Sequence, residues 1–63
     1  MFDFDYGSSI DCEIGRAVKR LARNGYVVCL SGILTQLAEE RIAEHEHHRR
    51  RILTLAITSL VWT

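Results

Sequence analysis

Between Ile52 and Val61 the chain is apolar around most of a helix. Ile52, Leu53, Leu55, Ala56, Ile57, Leu60 and Val61 spread over an arc of about 240°, leaving mainly Thr54 and Thr58 for solvent. A helix lying on a soluble protein usually hides a stripe of about 100°, so this one asks for cover on several sides. With 63 residues in all, there is little chain to provide it. A core of this size supplies roughly 3 to 5 kcal/mol unless a disulfide, a metal or a partner adds to it. Two short helices packed on the third are expected to leave an apolar patch, and a two-fold homodimer is the economical way to close one. The same stretch is about half of the roughly 20 residues a membrane-spanning helix requires. It reads as a core helix, although Arg49, Arg50 and Arg51 just before it also suit a peptide lying on a membrane surface.

The rest of the chain divides around this helix. Residues 1–8 read as a flexible N-terminal arm in which Phe2, Asp3, Phe4 and Asp5 alternate aromatic and acidic side chains before Gly7. Residues 9–63 read as a single three-helix domain, so the fold class is all-α. Ser8 with Asp11 resembles a capping box, placing the first helix start near Ser9. Ile10, Ile14, Ala17, Val18 and Leu21 form its apolar stripe, and Arg16, Lys19, Arg20 and Arg23 gather on the opposite face. Asn24 and Gly25 end it, because glycine adopts the left-handed conformation without a Cβ penalty. Tyr26 to Cys29 is too short to make a sheet and reads as a packed connector. Ser31 is positioned to cap a second helix carrying Ile33, Leu34, Leu37 and Ala38. A turn is expected near residues 42–46, with the last helix running from about Glu46 to Trp62.

Chemistry-bearing patterns are sparse. Eight basic residues balance eight acidic ones, so no global field points to nucleic acid or an anionic surface. Cys12 and Cys29 have no CxxC spacing and read as free, buried thiols. Neither has a nearby histidine, and no phosphate loop or paired-carboxylate site is present, so no catalytic residue, cofactor or small-molecule substrate is expected. Glu44, His45, Glu46, His47 and His48 offer metal-ligand types, but the adjacent arginines oppose a cation and no metal is expected there. The histidines would gain charge as pH falls from about 7 to 5. Two basic clusters, Arg16–Lys19–Arg20–Arg23 and Arg49–Arg50–Arg51, are the candidate surfaces for a protein partner, with DNA as the alternative. Phe2, Phe4, Tyr6 and Trp62 lie near the chain ends, where packing is the commoner role, and no binding role is assigned to them. The first residues lack a basic and then apolar leader, which suggests a cytoplasmic protein.

The run Ile14-Gly15-x-Ala17-Val18-x-x-Leu21-x-x-x-Gly25-x-x-Val28, followed by Ile33-Leu34-x-x-Leu37, resembles the AriR/YmgB family of small enterobacterial biofilm and acid-resistance regulators. The likeness continues through Ile52-Leu53, Ile57, Leu60 and Val61, covering about residues 13–61 without gaps. The resemblance implies a three-helix protomer, a homodimer, and a connector role toward a two-component phosphorelay governing biofilm, capsule and acid-stress genes. Gly15 inside the first helix costs about 1 kcal/mol relative to Ala, which implies close backbone packing against another helix and fits a tight dimer. Val18, Leu21, Ile52, Ile57, Leu60 and Val61 are then the expected dimer interface. The basic clusters would select a response regulator or another regulatory protein. The histidine-rich, triple-arginine segment departs from the family pattern.

Overall fold

The computed structural model describes residues 6–62. Three helices follow one another, α1 (Tyr6–Arg23), α2 (Leu30–Ala43) and α3 (His47–Val61), and among the described residues there is no strand. Connections this short favour antiparallel neighbours, and the cross-contacts agree. The start of α2 meets the end of α1 where the Gly32 backbone approaches Leu21. The start of α3 meets Glu13 of α1 and Glu40 of α2 through Arg49. Farther along, Arg41 Nε donates to Thr54 Oγ1 at 2.6 Å.

The first helix begins at Tyr6 rather than near Ser9, so residues 6–8 belong to the domain and only residues 1–5 of the expected arm lie outside the described region. Amides of a first turn have no intrahelical acceptor wherever the turn falls. Gly7 and Ser8 are therefore tolerated inside it, and the Ser8 capping signal does not fix the start. The other end follows expectation closely. Gly25 has φ +79°, Tyr26 N donates to Leu21 O at 3.0 Å, and Gly25 N donates to Ala22 O at 3.1 Å. This pair of bonds is the Schellman arrangement, which satisfies the last carbonyls of the helix.

Two local expectations change. The connector is not packed: Tyr26 is 66% exposed and Val27 80%. The helix that follows starts at Leu30, with Cys29 in extended backbone at the cap position and no side-chain cap bond. Ser31 is thus already helical, and its carbonyl accepts from Thr35 Oγ1. By contrast the turn before α3 is a true break. Glu46 takes the cap position and its Oε1 accepts from Arg49 N at 2.6 Å, so a carboxylate sits at the positive end of α3.

The interior is formed by Ala17, Leu37, Leu53 and Ala56, with Ile10, Ile14, Ile33, Ile57 and Leu60 packed around them. Leu21 and Ile52 are buried as well. Two neighbouring helices cover more of α3 than its sequence suggests. Ile52, Leu53 and Ala56, an arc of about 100°, are buried, while Leu55 and Ile57 on either flank and Leu60 at the far end of the same arc are half-buried. Val61 stays exposed and Trp62 is 81% exposed. The expected close packing at Gly15 is not found within the protomer, since a Cβ there would meet nothing within 4 Å.

These placements separate two substitutions. Leu53→Ala removes a fully buried side chain and is expected to cost about 2 to 4 kcal/mol, enough to abolish the thermal unfolding transition of a domain this small. Gly15→Ala is expected to raise the melting temperature, gaining up to about 1 kcal/mol of helix propensity. Thermal melts followed by circular dichroism read both.

Candidate interaction surfaces

One arginine ties the three helices together. The Arg49 guanidinium holds Glu13 of α1 in a two-pronged bridge, Nε to Oε2 and Nη2 to Oε1, both at 3.0 Å. Nη2 also donates to Glu40 Oε1 of α2 at 2.9 Å, and Nη1 to Glu44 Oε1 in the turn. The remaining acceptors are occupied too: Gln36 Nε2 donates to Glu40 Oε2 at 3.0 Å and Glu46 N to Glu44 Oε2 at 3.0 Å. Glu13 is only 8% exposed, and a buried carboxylate is tolerable only with partners of this kind. The Glu13 bridge, followed by those to Glu44 and Glu40, holds the guanidinium pKa above its usual value against the opposing effect of burial. Glu44 is held below the ordinary carboxylate range, first by the Glu46 amide and then by Arg49. Arg49 was expected on a partner- or nucleic-acid-binding surface. Its hydrogen-bonding fork is instead engaged within the protomer, leaving Arg50 and Arg51 exposed on the outside.

The α1 cluster is arranged as its periodicity implies. Arg16, Lys19, Arg20 and Arg23 are all exposed and surround a shallow hollow of about 190 Å³. Among the described residues no ion pair engages any of these four side chains, so four positive charges face outward together. A second basic hollow of about 220 Å³ lies at the start of α3, lined by Arg41, His47, Arg50, Arg51 and Thr54. His45 falls in the turn before α3, and His47 and His48 in its first turn. Among the described residues no group of three or more potential ligands is placed to hold a metal. No helix of the described residues is long and apolar enough to cross a membrane.

The apolar candidates divide. Leu21 and Ile52 are buried inside the protomer and are not available to a second chain without opening the core. Val18, Ile57 and Leu60 sit half-buried at its edge, and Val61 is exposed.

A third concavity was not anticipated from sequence. A groove of about 550 Å³ opens at the α1–α2 connection, lined by Leu21, Tyr26, Val27, Cys29, Ser31, Gly32, Thr35, Gln36 and Glu39. It exists because Gly32 lets the connector pass close: a Cβ there would lie 3.3 Å from Val27 O. Its one sequence signal was the apolar run Tyr26-Val27-Val28, which general burial preference assigned to the interior.

Both cysteines are free, as expected, but exposed rather than buried. Cys12 falls on the same side of α1 as Lys19 and Arg23, and Cys29 stands at the head of α2. The Ser31 hydroxyl, 3.4 Å from Cys29 Sγ, and then the Gly32 amide lower the pKa of this thiol.

Compared with protein-family models, with curated proteins and with solved structures, the chain matches none.

Two measurements follow from this geometry. The Glu44 pKa is lowered on folding, so its contribution to stability is present above its unfolded value near 4.5 and is lost as pH falls through the folded value. Wild-type stability should accordingly hold from pH 7 to 5 and decline below. Arg49→Gln leaves three carboxylates facing one another and should lose about 2 kcal/mol at pH 7, a partly solvated figure given that the arginine side chain is 30% exposed. Its profile should invert, with stability rising as pH drops from 6 to 4; chemical denaturation at several pH values checks the sign. For the thiol, Ser31→Ala should slow alkylation of Cys29 by iodoacetamide at pH 7.5, read by peptide mass spectrometry with Cys12 as internal reference.

Proposed function

We propose that this protein is a non-enzymatic regulatory connector, a cytoplasmic homodimer that acts by protein contact on a two-component phosphorelay controlling biofilm, capsule and acid-stress genes. The observation that carries the reading is the outward basic face of α1, where Arg16, Lys19, Arg20 and Arg23 stand exposed with no ion pair among the described residues. A face of like charge on a chain of net charge zero is an electrostatic handle for an acidic protein surface. Such handles set association rate and partner choice more than raw affinity. The resemblance to the AriR/YmgB family supplies the kind of partner, a response regulator or another regulatory protein. Exposed Val61 and Trp62 and half-buried Val18, Ile57 and Leu60 support self-association, as apolar surface continuing outward from the core.

A second reading, DNA binding, is favoured by the hollow around Arg41, His47, Arg50 and Arg51 at the head of α3, where three arginine cations could meet a phosphate. The internal role of Arg49 leaves that surface one charge poorer than its sequence implies.

The two readings part in a single set of measurements. Arg16→Glu with Lys19→Glu should reduce recovery of the regulatory partner in pull-downs from the native host by about tenfold or more, with dimer mass unchanged in light scattering. Arg50→Ala with Arg51→Ala should leave that recovery intact. Unimpaired capture by the first variant, or a gel shift that weakens steeply with salt and vanishes in the second, would transfer the assignment to DNA.

A further inference from the structure

The hollow at the head of α3 is built by two helices. His47, Arg50, Arg51 and Thr54 recur at spacings of three and four along α3, which puts them on one face within an arc of about 100°, opposite the buried Ile52, Leu53 and Ala56. Arg41 enters from the last turn of α2, its Nε donating to Thr54 Oγ1 at 2.6 Å. The internal bridge sets the spacing across this outer hollow. Arg49 holds Glu40 at 2.9 Å, and each of those two residues is the chain neighbour of a lining arginine.

Among the described residues no carboxylate lines the hollow. The acidic residues around it in sequence are occupied elsewhere: Glu39 lines the α1–α2 groove, Glu40 and Glu44 bond Arg49, and the Glu46 side chain caps α3. Nor does any ion pair among the described residues engage Arg41, Arg50 or Arg51. Three fixed positive charges thus converge on about 220 Å³, with the His47 ring as a further N–H donor. Such a cluster repels itself, and an anion seated among the guanidinium groups relieves the repulsion. The donors define its chemistry, because arginine forks present paired N–H groups that match phosphate oxygens. Duplex DNA spreads single charges about 1.7 Å apart along its axis, which calls for cations in a strip. Cations gathered around one point suit instead a terminal phosphate, which concentrates about 1.5 to 2 negative charges and three free oxygens in one group.

We propose that Arg41, His47, Arg50 and Arg51 form a binding site for a terminal phosphate, either inorganic phosphate or the phosphate of a small monoester such as a nucleotide. Arg50 and Arg51 meet the phosphate oxygens from α3 and Arg41 meets them from α2. Thr54 is a positioning residue that fixes the Arg41 fork at the hollow through its hydroxyl. The site shares no residue with the basic face of α1, so it stands or falls independently of the connector reading.

Calorimetric titration of the full chain with inorganic phosphate and with AMP, at constant ionic strength against chloride, tests it. The wild type is expected to bind with a Kd of about 1 mM or below. Arg50→Ala with Arg51→Ala removes two exposed side chains and should weaken binding more than about tenfold, with circular dichroism confirming unchanged helix content. Arg50→Lys with Arg51→Lys keeps both charges but loses the forks, and should weaken binding several-fold. Thr54→Val should weaken it as well, whereas Arg16→Gln with Lys19→Gln should leave it unchanged. Equal affinity for the two probes assigns the site to the phosphate group alone, and tighter binding of AMP assigns it to a nucleotide. Absence of binding to either probe beyond the chloride control would overturn the proposal, as would a lysine pair that binds as tightly as the wild type. A salt-sensitive gel shift of duplex DNA through Arg50 and Arg51, in a chain that ignores both probes, would overturn it and give the hollow to DNA.

Discussion

Everything in this bundle converges on how one guanidinium is shared. Arg49 contacts Glu13 from the first helix, Glu40 from the second and Glu44 from the turn between the second and third. Its own amide is capped by Glu46. A core of four fully buried side chains, two of them alanine, does little to fix the relative rotation of three helices, because small apolar surfaces slide at low cost. A planar fork with fixed donor directions does fix it. The polar node thus sets the register in which Ala17, Leu37, Leu53 and Ala56 meet. Three carboxylates around one cation also leave surplus negative charge at this end of the bundle, while the free positive charges lie along α1 and at the outer face of α3. A chain with no net charge is in this way strongly patterned.

The helices were legible in the sequence because their signals are local. Asn24-Gly25 predicts a helix end, and the Schellman bonds lie there. The apolar stripe of Ile10, Ile14, Ala17, Val18 and Leu21 faces the interior, and the basic residues opposite it face solvent. What escaped the sequence depends on partners distant along the chain. Arg49, Arg50 and Arg51 are chemically alike, yet α3 turns only the first toward Glu13 and Glu40. Glu13 gave a faint sign of this, since it lies close to Ala17 on the helical wheel, at the edge of the apolar stripe. The two cysteines were misplaced because the usual burial of that residue type outweighed the position of Cys12 on the polar side of α1.

Cover of α3 shows a similar competition. Counted alone, its apolar arc is too wide for two short neighbours. In the fold α1 is longer than its capping signal implies, and Ile10 near its start packs onto the core. Among the described residues the exposed large apolar side chains lie instead at the connector and the start of α2, with Tyr26, Val27, Val28 and Leu30, at the end of α2, with Ile42, and at the last turn, with Val61 and Trp62. An interface built from these residues involves the ends of helices rather than a long helical seam.

The separation of contacts along the chain bears on how the fold assembles. Arg41 and Thr54 are 13 residues apart, whereas Glu13 and Arg49 are 36 apart. Closing the shorter loop forfeits less chain entropy, so α2 and α3 form the natural early hairpin and α1 is the late arrival. The same order run backward makes detachment of α1 the cheapest partial opening of the molecule. Such an opening would uncover Leu37, Leu53 and Ala56 together, and a helix supplied by another protein could occupy the vacated berth.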